Sequence, residues 1–576
     1  MFYGQQIKNT ILWAILLGLT AGFGLEAQAA ESPNPPQPQK KEYTLFACGD
    51  FELARWATAT VCSKGPRWPI EEVSPWIREA DVSLVNLECV IATRGYFWDK
   101  GEDVPHQYRG RPEMIDVLTE AGVDLATLAN NHAMDYGPEA LAECRELLTA
   151  AGIAPIGAGN NYKEASTPTY VKVGDLIVAF IGIDTETPMT AATEKRGGIF
   201  CVKGYEAVKK AIKPVIDEAK RKADLVVFTP HWGDNFTDNP TPERVELARW
   251  VIDQGVDAII GHSAHQLHGI EIYKGRPIVY DMGSFFFDRV TKDRFPLGTG
   301  FILSFDRDGF KKITMRQAIL EIARTRLAKG KEIKKIQDVI INASRELDPD
   351  IRFGHDGDAL TLTLSPETPP VKRTETPKQI YRTGTTRRLP EELRSRKTDI
   401  VLDAPPKWTK GMTPVELKNG IRVLGARTPG KVRPNSAFAA EIVLQVPDEI
   451  TIGSWLGFLK AVSRDGKRAF VWAHPIADGG WDPSLWKPGQ IVVDRTLARP
   501  LGMWIRPRKK KLTEGVYDLY WGFGPLEHRD SEQDLVPVKN RRPEDKANYI
   551  HIGTIRMTDD APEGAAGVAW GRLIDE

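Results

Sequence analysis

The sequence has no excess charge of either sign and no long apolar run beyond its N-terminal segment. Its 77 lysines and arginines equal its 77 aspartates and glutamates, so the formal net charge is zero. Nucleic acid and anionic surfaces attract proteins that carry surplus positive charge, and we therefore expect no nucleic acid partner. No later stretch is long and apolar enough to span a bilayer. The 41% hydrophobic content is that of a folded globular chain.

Cysteine is scarce, and a nucleotide-binding loop is missing. The five cysteines, Cys48, Cys62, Cys89, Cys144 and Cys201, show no CxxC spacing, which argues against a zinc ribbon. One disulfide could form in an exported protein, but the odd count leaves at least one thiol over. No GxxxxGK[ST] loop occurs, so another protein would have to supply any ATP-dependent ligation step.

The N-terminus has the pattern of a targeting segment. Lys8 precedes an apolar stretch over residues 11–25, and Ala-Gln-Ala follows at residues 27–29 as a small-x-small cleavage box. We predict an export signal over residues 1–30 and a flexible Pro/Gln/Lys-rich lead-in over residues 31–42. The expected location is periplasmic or extracellular. The alternative is an uncleaved segment that anchors the protein to the membrane.

Residues 43–364 alternate short apolar runs with helix-like segments. This alternation predicts helices on both faces of a central sheet. The predicted strands are Tyr43–Cys48, Val82–Leu87, Leu125–Ala129, Ile177–Ile183, Leu225–Thr229, Ala258–Ile260 and Ile278–Tyr280. The predicted helices are Pro112–Ala121, Pro138–Ala150, Tyr205–Arg221 and Thr241–Gln254. A further helix and a hairpin, Ile351–Arg352 with Ala359–Leu364, are expected to close this part.

The rest of the chain changes character twice. Residues 365–398 are rich in proline, threonine and arginine, which predicts an interdomain linker. Residues 399–576 contain β-like runs separated by Gly, Pro and Asp turns, which predicts an antiparallel β-sandwich accessory domain. Trp472, Trp504 and Trp521 could stack on sugars, although a core position is the favoured interpretation. The basic run at residues 506–511 is interpreted as a solvated turn, with an anionic polymer as the alternative ligand.

Carboxylate, amide and imidazole side chains follow the predicted strands at corresponding points. They are Asp50, Glu88, Asn131 with His132 and Asp135, His231, and His262 with His265. Taken alone, Asp50, Glu88 and His231 are typical of a turn, a helix cap and a structural histidine. The Asn-Asn-His turn and the His-x-x-His pair are more specific. Neutral imidazoles with carboxylates suit zinc, manganese or iron better than calcium or magnesium. The order of these residues along the chain does not decide whether one ion or two would bind.

Several separated motifs resemble the CapA family of capsule and poly-γ-glutamate synthesis proteins. They are GDF at Gly49, NLE at Asn86, ANNHAMDYG at Ala129, GAGNN at Gly157, HWGDN at His231 and GHSAHQLHGIEIYKGRPIVYDMGSFFFD at Gly261. The resemblance covers roughly residues 43–320. It implies a four-layer metallophosphatase-like α/β sandwich of two packed sheets, in place of the single sheet that alternation predicts.

The resemblance also implies roles for the site residues. Asp50, Glu88, Asn131, His231, His262 and His265 would hold a divalent metal centre, for which we expect two ions, with Glu88 as the bridging carboxylate. His132 would donate a proton to a leaving group, and Asp135 would orient it. The sequence departs from the family pattern in the His-x-x-His spacers and at Ser284, where the family usually has asparagine.

The sequence therefore predicts a metal-dependent hydrolase in the synthesis, processing or export of a capsular polymer. The substrate class would be poly-γ-glutamate or a polysaccharide, and a membrane-bound polymer ligase or exporter complex would be the expected partner. The alternative is a non-catalytic component that binds the polymer within an envelope assembly machine.

Overall fold

The computed structural model describes residues 42–561, except residues 96, 99, 101–105, 288–296, 435–436, 450–452, 454, 499–513 and 526–533. The predicted export signal, the lead-in up to residue 41, Trp504 and the basic run at residues 506–511 lie outside the described residues. None of the helices within the described ranges combines the length and the apolar composition that a bilayer crossing requires.

A ten-stranded sheet contains the first three predicted strands of the α/β part. Its main path, from edge to edge, is Gly354–Asp356, Ala359–Thr363, Gly309–Glu321, Leu297–Asp306, Tyr43–Phe51, Val82–Leu87, Leu125–Thr127 and Ala154–Ile156. Ser284–Phe286 pairs with Tyr43–Phe51, and Arg324–Leu327 pairs with Gly309–Glu321. Tyr43–Phe51, Val82–Leu87 and Leu125–Thr127 run parallel, so their carboxyl ends meet at one edge.

A seven-stranded sheet lies against the first. Its order is Ile270–Tyr273, Arg276–Val279, Ala258–Ile260, Leu225–His231, Leu176–Asp184, Thr169–Val173 and Tyr381–Arg382. Two short pairs, Ala158–Gly159 with Gly198–Ile199 and Val90–Ile91 with Arg109–Gly110, stand outside both sheets. Leu45 and Leu84 of the first sheet share one apolar cluster with Phe180 and Val227 of the second. The two sheets therefore bury one face each against the other.

Helices cover the outer faces of both sheets. The described helices are Trp56–Lys64, Ser74–Arg78, Ile115–Ala121, Gly137–Ala150, Tyr162–Ser166, Tyr205–Lys222, Pro242–Asp253, Lys331–Leu347 and Glu391–Arg394, with short 3₁₀ turns at Trp68–Ile70, Pro112–Met114, Pro188–Thr190, Lys407–Thr409, Ile476–Gly479 and Pro483–Leu485. Phe46, on the opposite face from Leu45, packs with Leu141 of Gly137–Ala150. Phe228 packs with Ile212 and Val251 outside the second sheet. The result is a four-layer α/β sandwich.

The single central sheet that alternation predicts is wrong, whereas the two packed sheets implied by the family resemblance are confirmed. Strands buried on both faces read as continuous apolar runs whether one sheet or two hold them. Val82–Leu87 and Ala258–Ile260 have their predicted bounds. The first strand of the closing hairpin is Gly354–Asp356 and not Ile351–Arg352. Ile351 is buried as a core residue, and the exposed residues after it make the strand pairing.

Two five-stranded sheets form the C-terminal sandwich, the name used below for the strands between residues 401 and 557. One sheet has the order Val401–Leu402, Ile491–Ala498, Phe438–Gln445, Arg422–Arg427 and Val415–Glu416. The other has the order Lys431–Val432, Ile550–Met557, Gly515–Pro525, Trp455–Ser463 and Ala469–Pro475. Trp472 and Trp521 lie in the core between the sheets, which favours packing over sugar stacking for both.

Residues 365–398 lie against the α/β part. Tyr381–Arg382 adds a parallel edge to the second sheet, and the main-chain amide of Gly384 donates to Asp124. The segment thus gains hydrogen bonds along its course although its composition supports no core of its own. All five cysteines are free thiols, and the structure contains no disulfide between them.

Candidate metal centre

The first sheet presents Asp50 and Glu88 at the shared end of its parallel strands. Asp50 lies at an irregularity in the pairing of Tyr43–Phe51 with Val82–Leu87, and Glu88 directly follows the latter strand. The amide of Asp50 donates to the carbonyl of Gly283 at 3.0 Å. A Cβ atom on residue 49 would lie 1.8 Å from that carbonyl oxygen, so glycine is required there for the two chains to approach.

The second sheet presents two histidines that face each other. His231 ends the strand Leu225–His231, and His262 follows Ala258–Ile260 on the neighbouring strand. Their Nδ1 atoms are 2.8 Å apart, and both side chains are buried. The Nε2 atom of His262 is 3.2 Å from Oγ1 of Thr229. If Thr229 accepts the Nε2 proton, the Nδ1 lone pair of His262 stays available as a ligand.

The loop after His262 brings a third histidine to the carboxylates. His265 has a left-handed backbone, with φ of 58°, and its Nδ1 lies 2.8 Å from Oδ2 of Asp50. Asp281 fixes this loop, because its two oxygens accept from the amides of Ala264 and Gly283 at 2.7 and 2.8 Å. Ser284, the departure from the family pattern, has its hydroxyl 3.4 Å from Nδ1 of His265. The hydrogen bonds of Asp281 and the hydroxyl of Ser284 therefore fix the strained conformation of His265.

Glu88 lies between the two groups of histidines. Its Oε1 is 3.9 Å from Nε2 of His231, and its Oε2 is 3.8 Å from Nδ1 of His265. Both oxygens are buried and have no hydrogen-bond partner among the described residues. A buried carboxylate without partners is costly, so this arrangement calls for a proton or a cation.

Two groups of side chains within the described residues have the geometry of ion sites. Asp50, His231 and His262 form one, and Asp50, Glu88 and His265 form the other. In each group the ligand atoms lie within 4.8 Å of one another. Asp50 belongs to both groups, and Glu88 directs one oxygen toward each histidine group, so both carboxylates stand between the two positions.

Amide side chains hold the centre together. Asn86 donates to Oδ1 of Asp50 at 2.8 Å, and Asn130 donates to Oδ1 of Asn86 at 3.0 Å. The Oδ1 atom of Asn130 accepts from the amides of His132 and Ala133, which fixes the turn that carries His132. Oδ1 of the neighbouring Asn131 is buried and has no hydrogen-bond partner among the described residues. That oxygen is a further candidate ligand.

His132 is oriented by Asp135 at the edge of the centre. Its Nδ1 is 2.8 Å from Oδ2 of Asp135, and its Nε2 is 4.0 Å from Oε1 of Glu88. Asp135 also accepts from Nζ of Lys100 at 2.9 Å and from the amide of Tyr108 at 2.7 Å. These donors keep Asp135 an acceptor, so the proton of neutral His132 sits on Nδ1 and Nε2 faces the ions' positions.

Burial sets the protonation of the centre. It raises the pKa of Glu88 well above its usual range, and the charge of Asp50 raises it further. Burial lowers the pKa of His231 well below its usual range, and the adjacent His262 adds to this. Burial also lowers the pKa of His262, to about 4. Both histidines are therefore neutral near pH 7, the form in which imidazole binds a metal.

The donor set fits a divalent transition metal. It combines neutral imidazoles, carboxylates and one orphaned amide oxygen, which is the ligand chemistry of zinc, manganese and iron. The unpartnered oxygens of Glu88 and Asn131 supply the independent observation, because a cation would satisfy both. Asp50, Glu88, Asn131, His231, His262 and His265 are the residues that would hold it.

The structure brings most of the predicted residues into one cluster. Asp50, Glu88, His231, His262 and His265 form the two groups, His132 borders them through Glu88, Asp135 lies behind His132, and Asn131 adjoins it in the chain. Their individual roles remain predictions. Sequence reasoning missed the supporting residues Asn86, Asn130, Asp281, Lys100 and Tyr108. Asn86, Asn130 and Asp281 lie within the quoted motifs, whereas nothing in the sequence distinguishes Lys100 or Tyr108.

Comparison with known proteins gives a consistent relationship for the α/β part. The family model described as "Bacterial capsule synthesis protein PGA_cap" matches residues 44–289. The "Capsule biosynthesis protein CapA" of Bacillus anthracis is 29% identical over 287 residues, which cover 49% of this chain and 70% of that protein. A "Probable polyglutamine synthesis accessory protein" of Mycobacterium tuberculosis is 32% identical over 262 residues, covering 44% of this chain and 68% of that protein.

Solved structures resemble the chain only loosely. The NAD nucleotidase of Haemophilus influenzae superposes with a TM-score of 0.27 at 11% identity, and the superposition covers 52% of this chain and 56% of that one. The matched family range ends at residue 289, so the C-terminal sandwich lies outside it.

Proposed function

The chain belongs to the CapA family of bacterial capsule synthesis proteins, and from this premise we propose that it is a metal-dependent hydrolase acting on a capsular polymer. The observation that carries the proposal is Glu88. Its two oxygens are buried, lack hydrogen-bond partners among the described residues, and lie 3.9 and 3.8 Å from His231 and His265. A buried carboxylate without hydrogen-bond partners would destabilise a protein in which it had no ligand to bind.

Two ions would be held side by side in this arrangement. The two groups of side chains would place His265 at one ion and His231 with His262 at the other. Asp50 and Glu88 would lie between the ions, and Asn131 would be a further ligand. When bound, such ions lower the pKa of water and polarise a phosphoryl or carbonyl oxygen. The protein's own contribution is to keep both histidines neutral and to exclude water, since Asp50, Glu88 and His262 are fully buried.

His132 supplies the proton that the leaving group needs. Asp135 accepts from Nδ1–H, so the proton-donating form is the imidazolium, whose Nε2–H delivers the proton and leaves the neutral ring with its remaining proton on Nδ1. Lys100 and the amide of Tyr108 prevent Asp135 from turning away. The scissile bond in this proposal is a phosphoester or an amide, because both develop negative charge on oxygen that paired cations stabilise.

We also propose that the protein works outside the cytoplasm, beside a membrane-bound ligase or exporter of the polymer. This rests on the targeting pattern over residues 1–30 and on the lack of a GxxxxGK[ST] loop in the sequence. The polymer would be poly-γ-glutamate or a polysaccharide; one relative is named for capsule biosynthesis and another for polyglutamine synthesis.

Turnover of simple substrates tests the proposed hydrolase. Protein loaded with manganese, zinc or iron should hydrolyse bis(p-nitrophenyl) phosphate or γ-glutamyl-p-nitroanilide, and a His132→Gln variant should retain its metal while losing about 10²-fold in kcat. Product release is followed by absorbance, and metal content by plasma mass spectrometry. Metal-loaded protein that turns over neither substrate, yet retains fluorescent poly-γ-glutamate on a column, would contradict the hydrolase and favour a polymer-binding component.

A further inference from the structure

The C-terminal sandwich contacts three separate segments of the α/β part, and each of them holds the loop of His132 and Asp135. We propose that the sandwich positions His132, and that Gly479 and Phe97 are the positioning residues through which it acts. The inference rests on the proposed function and extends it, because the sandwich lies outside the matched family range of residues 44–289.

The first contact runs from Gly479 to His132 through two side chains. A Cβ atom on residue 479 would lie 2.5 Å from Cα of Arg55, so the two backbones are in direct contact. Arg55 has a left-handed backbone, with φ of 47°, and its guanidinium lies 4.2 Å above the ring of Tyr108. The Tyr108 ring is in turn 4.1 Å from that of His132, centroid to centroid. The stack is buried throughout.

The second contact runs through Phe97. Its ring is buried in a cluster with Ala437, Ala439 and Leu497 of the sandwich. The next residue, Trp98, donates its amide to the carbonyl of Asp135 at 2.9 Å. Anchoring Phe97 in the sandwich therefore fixes the main chain of the residue that orients His132.

The third contact runs through Arg109. Its guanidinium lies 4.2 Å above the ring of Tyr136 and is 3.4 Å from Oδ1 of Asp399, where the chain enters the sandwich. Arg109 is buried and Asp399 is partly buried, so this ion pair is partly shielded from solvent. The residue that follows Asp135 is thereby tied to the sandwich as well.

The part of the sandwich that touches Arg55 is rigidly held. Asp494 is fully buried and accepts from His474 and Trp521 at 2.9 Å, both on the opposite sheet. Its other oxygen accepts from the amide of Ala477 at 2.8 Å, at the start of the turn Ile476–Gly479. A hydrogen-bonded group that joins both sheets thus fixes the turn, and the turn fixes Arg55.

The three contacts converge on the geometry that proton transfer requires. A displacement on the order of 1 Å at a reacting group can cost about 10²-fold in rate. Of the six candidate metal ligands only Asn131 shares the loop of His132, and the other five would stay in place. Loosening the sandwich contact should therefore lower kcat and leave both KM and metal content nearly unchanged.

The test compares two contact variants with one core variant in the full-length, zinc-loaded protein. Gly479→Ala places a methyl group against Arg55, and Phe97→Ala empties the second contact. Phe470→Ala is the control, because Phe470 is buried in a cluster formed by residues of the sandwich itself. Phe97→Leu should restore much of the lost function by refilling the site.

Three readouts are compared. They are the zinc content, the kcat and KM on bis(p-nitrophenyl) phosphate, and the NMR signal of the hydrogen-bonded Nδ1 proton, which a His132→Gln protein assigns to His132.

We expect both contact variants to lose about 10-fold or more in kcat, with KM and zinc content within about 2-fold of wild type, and to shift or broaden the His132 signal. Phe470→Ala should lower the stability of the protein but leave kcat and the His132 signal close to those of wild type. An unchanged His132 signal in Phe97→Ala overturns the inference even if Gly479→Ala fails to fold. The NMR readout needs no turnover. A wild-type protein that is inactive on both substrates therefore refutes the hydrolase, and the His132 signal still decides whether the sandwich positions His132.

Discussion

A His262→Ala protein is expected to lose most of its bound metal and about 10²-fold or more of any metal-dependent turnover. His262 is fully buried, and its Nδ1 lies 2.8 Å from that of His231, so the two rings would form one side of the proposed ion position. Alanine supplies no ligand atom and leaves only an apolar methyl group in a buried site. Metal content after dialysis, measured by plasma mass spectrometry, and turnover on the two model substrates report the loss.

His268 provides the matched control for this change. It lies three positions after His265 and is buried, but its Nε2 is 2.8 Å from the carbonyl oxygen of Thr237 and its pKa is lowered by burial. His268→Ala should therefore keep the metal while losing some stability. Equal metal content in His262→Ala and wild type would refute the ligand assignment, and circular dichroism should show that both variants are folded.

Much of the centre follows from the sequence because its ligands stand at strand ends. Fully buried parallel strands appear as short apolar runs, and the residue after each run lies at the shared edge of the sheet. The sequence alone therefore indicates Asp50, Glu88, His231 and His262 as candidate ligands. His265 required the extra observation of a second histidine three residues on. The orientation of each side chain came only with the fold.

The supporting amides and the second sheet lay beyond sequence reasoning for a physical reason. Asn86 reaches Asp50 across 36 residues, and Asn130 reaches Asn86 across 44, so neither hydrogen bond has a local signature. The same holds for Gly479 and Arg55, which only the folded chain brings together. Continuous apolar runs report burial but not which sheet supplies the covering face, so alternation alone predicted one sheet.

A Glu88→Gln variant is expected to change stability in opposite directions with and without metal. Metal-free wild-type protein buries a carboxyl group whose oxygens have no hydrogen-bond partner among the described residues. An uncompensated buried charge costs about 3–5 kcal/mol, and glutamine removes the charge while keeping the shape. After chelation at pH 8, the variant should therefore unfold about 5–10 °C above wild type. Added zinc or manganese should raise the unfolding temperature of wild type only, because the variant lacks the carboxylate that we propose lies between the ions.

The pH dependence of unfolding separates this explanation from a general effect of the substitution. The pKa of Glu88 is raised by burial in the folded protein, so between the unfolded value, about 4.3, and the folded value the native state binds the extra proton. Stability that is present below about pH 4.3 is thus lost as the pH rises through the folded pKa, and Glu88→Gln should lack that loss.

Glu143→Gln is the matched control. Glu143 is also buried, but it accepts from Thr93 at 3.0 and 2.7 Å and lies within 3.7 Å of Arg94 and Arg396. Removing a satisfied carboxylate should destabilise the protein at pH 8, with or without metal. If Glu88→Gln behaves like Glu143→Gln, Glu88 is an ordinary structural residue. The proposed two-ion centre would then lack a carboxylate between its two histidine groups.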